Sequence, residues 1–142
     1  MRYLLDTDHA SIIQRSVGLD YQSILRHMTA HSPTDVVISV VSFREQVIGA
    51  HTRIVRAKSA NEIVHGYEIL SRIIRLYSNT VVVPYDGPAS NIFSSLRSIR
   101  PPIKTMDLRI AAIALANGST LVTRNLQDFS SIPGLQTEDW TK

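Results

Sequence analysis

The chain contains no cysteine, which excludes disulfide staples and thiolate metal sites and agrees with a cytoplasmic location. No apolar stretch approaches the ~20 residues needed to cross a bilayer, so no membrane partner is expected. The opening apolar run carries one arginine and breaks at Asp6, so it does not read as a signal peptide. G-x-G-x-x-G, Walker A and G-x-S-x-G motifs are missing, which removes support for nucleotide-cofactor and serine-hydrolase readings. His9, His27, His31, His51 and His65 have no metal-ligand spacing such as HExxH and read as surface or helix residues. There is no repeat, low-complexity tract or linker. At 142 residues the chain is long enough for one core and short for two, so residues 1–142 read as a single domain.

What is present is ordinary for a soluble globular protein, with 44% hydrophobic and 19% charged residues. The net charge is +3, carried mostly by arginine, whose fork matches phosphate geometry. That balance permits nucleic-acid binding without requiring it. If acids gather at one site, the remaining surface is more basic than the net charge suggests.

Short β-rich runs alternate with helical stretches, which predicts βα units and a parallel sheet. Tyr3-Leu4-Leu5 runs straight into Asp6, as suits a strand buried on both faces. A helix capped by Asp8 follows, and Gly18 separates it from a second helix carrying Ile24, Leu25 and Met28. After a turn at Ser32–Asp35, Val36 to Val41 reads as the second strand, and Ser42 opens a helix with Glu45 completing a capping box. Another capping box, Ser59 to Glu62, starts a long helix with Ile63, Tyr67, Leu70, Ile74 and Tyr77 on one stripe, flanked by Val64 and Ile73. That stripe is either core or a surface for a dimer or protein partner. Val81–Val83 is a third strand stopped by Pro84, and a helix begins at Asp86-Gly87-Pro88. An Ala-rich helix from about Thr105 to Asn117 ends at Gly118. Ser119–Thr123 forms the fourth strand, Asn125 caps a short helical turn through Phe129, and Leu135–Trp140 adds an edge strand.

Each acid has an ordinary structural explanation. Asp6 can cap a helix, Glu45 fits a capping box, Asp107 complements a helix dipole, and Asp128 follows a capping Asn125 by three residues. Their joint placement, just past a strand or at a helix start, is what these explanations leave out. Ile110, Ala111 and Ala114 put Asp107 on the buried side of its helix, where an unpaired carboxylate is costly. Two carboxylates ~4 Å apart repel by roughly 4 kcal/mol at an effective dielectric of ~20, so a cluster takes up protons or binds a cation. Oxygen donors without cysteine favour Mg²⁺ or Mn²⁺, and such an ion at the carboxyl edge of a sheet points to phosphodiester cleavage.

These residues resemble a family. Leu4-Leu5-Asp6-Thr7-Asp8 is similar to the opening motif of PIN domains, as is Ser42-Phe43-Arg44-Glu45. The block from Met106-Asp107 through Asn117-Gly118, continuing with Leu121–Phe129, Ile132–Leu135 and Asp139-Trp140, resembles the VapC toxins of bacterial toxin–antitoxin pairs. The resemblance spans almost the whole chain. It implies a three-layer α/β/α sandwich around a parallel sheet of about five strands, a Mg²⁺- or Mn²⁺-dependent ribonuclease acting on RNA, a homodimer, and a cognate VapB-like antitoxin. Carried over by position, Asp6, Glu45 and Asp107 match the core acids, with Glu45 acting directly or through water. Many PIN domains have an aspartate where Asn125 stands, so Asn125 or Asp128 would complete the set. Lys104-Thr105 replaces the small residue often seen before the Met-Asp pair. Arg44, Arg109, Arg124 and Lys104 are candidate phosphate contacts. The alternatives are a catalytically weakened PIN-like module that binds RNA or a partner, and a DNA nuclease or phosphatase using the same acids.

Overall fold

The computed structural model describes residues 2–142. Its frame is a five-stranded parallel sheet in the order β3-β2-β1-β4-β5. The strands are β1 (Tyr3–Leu5), β2 (Val36–Ser39), β3 (Val81–Val83), β4 (Thr120–Val122) and β5 (Thr137–Glu138). Around it pack α1 (Thr7–Arg15), α2 (Leu19–Thr29), α3 (Val40–Arg56), α4 (Ala60–Ser78), α5 (Gly87–Ser98), α6 (Thr105–Ala116) and the short α7 (Leu126–Phe129). This is the expected PIN-like α/β/α sandwich.

Parallel strands need crossovers, and these cover both faces of the sheet with helices. Leu4, Val37 and Leu121 point to the layer formed by α5, α6 and α7, where they meet Phe93, Ile110 and Phe129. Leu5, Val36 and Val122 point the other way, against Ile12, Ile24 and Trp140. Ile38 joins Ala10, Ala50, Ile73 and Tyr77 on that second side. Burial on both faces explains why the strands read as unbroken apolar runs.

Four local expectations are corrected. First, β2 stops at Ser39, and Val40 and Val41 belong to α3, because the Ser39 side chain accepts the Ser42 N–H at 3.0 Å and caps the helix one turn early. Ser42 is therefore not a cap, and Glu45 loses its capping-box explanation. Second, the cap of α1 is Asp6, whose carboxylate accepts the Thr7 N–H; Asp8 lies in the first turn. Third, Asn125 precedes α7 but makes no side-chain cap bond; its amide donates to Asp128 Oδ2 at 2.9 Å.

The fourth correction concerns α4. Its inward face is Gly66, Ile73 and Tyr77 with Ile69 and Leu70, whereas Ile63, Val64, Tyr67 and Ile74 are exposed. The buried seam is centred on Gly66, where a Cβ would stand 2.5 Å from Ile54 Cγ1. A glycine that admits a neighbouring helix this closely sets the packed face, and counting apolar residues alone misses it.

Candidate active site

All strand carboxyl ends lie on one edge, and the strand order reverses between β1 and β4, the switch point where open α/β sheets form their crevice. The last paired row is Ile38–Leu5–Val122, so Asp6, Ser39 and Thr123 come side by side one residue beyond it. Asp6 donates its N–H to the Val122 carbonyl at 2.8 Å. Its carboxylate accepts the Thr7 N–H and the Thr123 hydroxyl, each at 2.8 Å. The Thr123 hydroxyl oxygen in turn accepts the Asn125 N–H at 3.0 Å. On the β2 side, Thr7 Oγ1 and Ser42 Oγ share a hydrogen bond of 2.9 Å, and Ser39 donates to Ser42. Asp6 is thus clamped by hydroxyls and backbone at the centre of the edge.

The clamp does not remove the cost of charge. Asp6 is 5% exposed. Burial, then the Asp8 carboxylate, and more weakly Asp107, push its pKa from 3.8 to about 7 against the lowering effect of the hydrogen bonds from Thr123 and Thr7. Glu45, half-buried in α3, is raised by burial and by Asp107, with Lys104 pulling it down. Asp107, in the first turn of α6, is raised by burial and by Asp128 and Asp8, again eased by Lys104. Carboxylates from α1, α3, α6 and α7 therefore lie within electrostatic reach of one another.

The remaining candidates divide. Lys104 lies near enough to Glu45 and Asp107 to lower the pKa of both. Asp128 is exposed and tied to Asn125, so the two tentative residues occupy one position as a pair. Arg124 is engaged by Asp8 at 3.6 Å and by Asp20 at 3.7 Å. Arg109 lies over the Phe93 ring, 5.6 Å from its centroid, on the α5–α6 side. Arg44 is exposed beside Glu45.

Three participants escaped the sequence reading. Thr123 and Ser39 become Asp6's neighbours only once β1 is known to lie between β2 and β4. Asp8 stands as a fifth acid, and burial raises its carboxyl. Hydrogen bonds from His9 and the Arg124 N–H outweigh that and bring it below the ordinary value. His9, expected at the surface or in a helix, is helical but fully buried. The Trp140 N–H donates to its Nε2 at 3.2 Å, which leaves the ring proton on Nδ1, 2.7 Å from Asp8 Oδ1. His27 and His31 are not free surface groups either; both rings stack on Trp140.

Among the described residues, no three acidic or histidine side chains form a group that could hold a metal ion as they stand. The donor chemistry nonetheless fits a hard divalent cation: the groups are oxygen-only, partly dehydrated and mutually repelling.

An all-parallel five-stranded sandwich with carboxylates grouped at its switch point defines the PIN-like class. Known proteins agree. The chain is 28% identical over 144 residues, the full length of both chains, to Ribonuclease VapC1 of Haemophilus influenzae strain R2866. It is 30% identical over 103 residues to the tRNA(fMet)-specific endonuclease VapC of Salmonella typhimurium, covering 72% of this chain and 74% of that one. Its fold is similar to the solved VapBC2 structure from Rickettsia felis, bound to a promoter DNA fragment, with a TM-score of 0.79, 24% identity and 99% of each chain covered. No family model matches the chain. On these relatives the chain belongs to the VapC family of PIN-type ribonucleases.

Proposed function

We propose that the protein is a divalent-metal-dependent endoribonuclease and the toxin of a toxin–antitoxin pair, with a VapB-like antitoxin as its inhibitor and a homodimer as its assembly. What supports this most is that Asp107 raises the carboxyls of both Asp6 and Glu45, which links three acids from separate elements at the carboxyl edge of the sheet. Membership of the VapC family supports the choice of RNA as substrate, and the VapBC complexes among structures of the same fold support the antitoxin.

Asp6, Asp107 and Glu45 would hold Mg²⁺ or Mn²⁺, with the Asn125–Asp128 pair at the rim. When bound, such a cation supplies Lewis acidity toward a phosphate and toward water. The protein's own contribution is positional. Thr123 and the Thr7 N–H fix both oxygens of Asp6, so its carboxylate needs no reorganisation to receive a ligand. Lys104 tempers the repulsion between Glu45 and Asp107 and offers a positive charge to a phosphate oxygen. The 2′-hydroxyl need not be the nucleophile, so preference for RNA would rest on shape and on the reach of single-stranded loops.

The test is cleavage of RNA with Mg²⁺, with EDTA, and after Asp6→Asn or Asp107→Asn. EDTA is expected to abolish cleavage, and each substitution to reduce it by at least about a hundredfold, the scale of losing one positioned electrostatic group. Undiminished activity in both variants overturns the assignment.

A further inference from the structure

A furrow leaves the acidic group on its Glu45 side. A cavity of about 270 Å³ between α1, α3 and α4 is lined by Thr7 and Glu45 at one end and by Arg15, Arg53 and Arg72 farther along. Two neighbouring hollows continue it. One shares Arg53 and adds Arg56; the other shares Arg15 and Arg72 and adds Arg75. All five arginines are exposed. Among the described residues the arginine found in ion pairs is Arg124, so none of these five is neutralised by an acid. The acids in the three linings are Glu45 itself and Glu62, and Glu62 accepts the Lys58 N–H at 2.7 Å. Gln14 also lines the furrow, and its buried Nε2 donor has no hydrogen-bond partner in the protein.

Five like charges that form no ion pair outnumber the two acids of the linings and repel one another, and the arrangement is relieved by a polyanion. Guanidinium forks match phosphate oxygens in pairs, and an orphaned amide donor wants an acceptor. From Glu45 to Arg56 along α3 is about 16 Å at 1.5 Å per residue, enough for a short stretch of single-stranded backbone. A strand that brings one phosphodiester to the acids must lay its neighbouring phosphates on an adjoining surface. This furrow is contiguous with the acids and opposite in charge.

We propose that the α1–α3–α4 furrow, from Glu45 past Arg53, Arg15 and Arg72, is a phosphate track that binds the RNA strand flanking the cleaved bond. The proposal rests on the nuclease reading for the identity of the strand. It differs from an acidic protein segment as occupant because the track begins at the reacting group itself.

The experiment combines Arg15→Gln, Arg53→Gln and Arg72→Gln and compares this triple variant with the unaltered chain. A charge-matched control carries Arg2→Gln, Arg97→Gln and Arg100→Gln, all at exposed positions outside the furrow. Binding of a fluorescently labelled single-stranded oligoribonucleotide is followed by anisotropy in EDTA across a salt titration. KM and kcat are then measured with Mg²⁺ on a long RNA and on a dinucleotide. The triple variant should bind roughly tenfold or more weakly at low salt, with its log–log salt slope shallower by about 2, three phosphate contacts at about 0.7 each. KM for the long RNA should rise with kcat retained, and cleavage of the dinucleotide should be unchanged. The control should stay close to the unaltered chain. Equal affinity and slope in the triple variant and the unaltered chain overturns the track, even where cleavage proceeds. A chain that binds RNA through these arginines but never cleaves it overturns the nuclease reading and keeps the track. Loss of polyglutamate binding with RNA binding intact would make the furrow a protein-docking surface and also overturns the proposal.

Discussion

Asp6 answers two demands that conflict. In the proposed role it must be a carboxylate to attract a cation, yet it is buried beside other carboxylates, and both burial and those charges favour its protonated form. The sign follows from its pKa. Between pH 3.8 and about 7 the unfolded chain has lost this proton and the native chain keeps it, so stability falls as pH rises through that window and levels above it. The full cost of the ionised group is on the order of 4 kcal/mol. Asp6→Asn is therefore expected to be more stable than the unaltered chain at pH 8 in EDTA, by up to a few kcal/mol. The difference should shrink toward zero near pH 4, as read by thermal melts at both values. No gain at pH 8 would mean that the burial of charge at Asp6 is compensated elsewhere. Of this residue's surroundings, the sequence made the acids legible, because Asp6, Glu45 and Asp107 each follow a recognisable strand or open a recognisable helix. It hid Thr123 and Ser39, whose nearness to Asp6 is a matter of which strands are neighbours, and sequence periodicity carries no strand order.

At the level of elements, the α3–α4 hairpin is fixed by one small residue. Gly66 faces Ile54 so closely that a methyl group would overlap Cγ1, on a β-branched side chain with little rotamer freedom in a helix. In an open helix Gly→Ala would stabilise by up to about 1 kcal/mol. Here overpacking wins, and Gly66→Ala is expected to destabilise by roughly 1–3 kcal/mol in urea titrations. Adding Ile54→Ala should recover part of that loss, a non-additivity that a simple propensity effect would not give. The same hairpin marks where sequence patterns lose resolution. The long helix is unmistakable from its capping Ser59, but which stripe it buries depends on a glycine that hydrophobic counting scores as nothing. The boundary at Ser39 failed for a related reason: a serine hydroxyl capping α3 overrode the strand preference of Val40 and Val41.

Over the whole molecule, the last residues reach back to the first. Trp140 is 1% exposed, donates its backbone N–H to His9 and its indole N–H to Glu138, and is stacked by His27 and His31. Trp140→Ala is expected to cost roughly 3–5 kcal/mol in chemical denaturation, a large share of a typical domain's stability. The N–H that binds His9 belongs to the backbone and survives this substitution, so the loss is expected in stability rather than in the His9–Asp8 contact. Charge is distributed on the same scale. With the acids concentrated at the switch point, much of the basic excess collects along α1, α3 and α4, as the net charge of +3 alone does not reveal.

The position of β1 in the middle of the sheet has a consequence for biosynthesis. Asp6 is made well before Thr123, the threonine that grips it, and before Trp140, the tryptophan that steadies its neighbouring histidine. A nascent chain still emerging from the ribosome carries the acids without the walls that align them. The pocket at the sheet edge is complete only once residues 123–140 have emerged, so a shorter nascent chain lacks the aligned site.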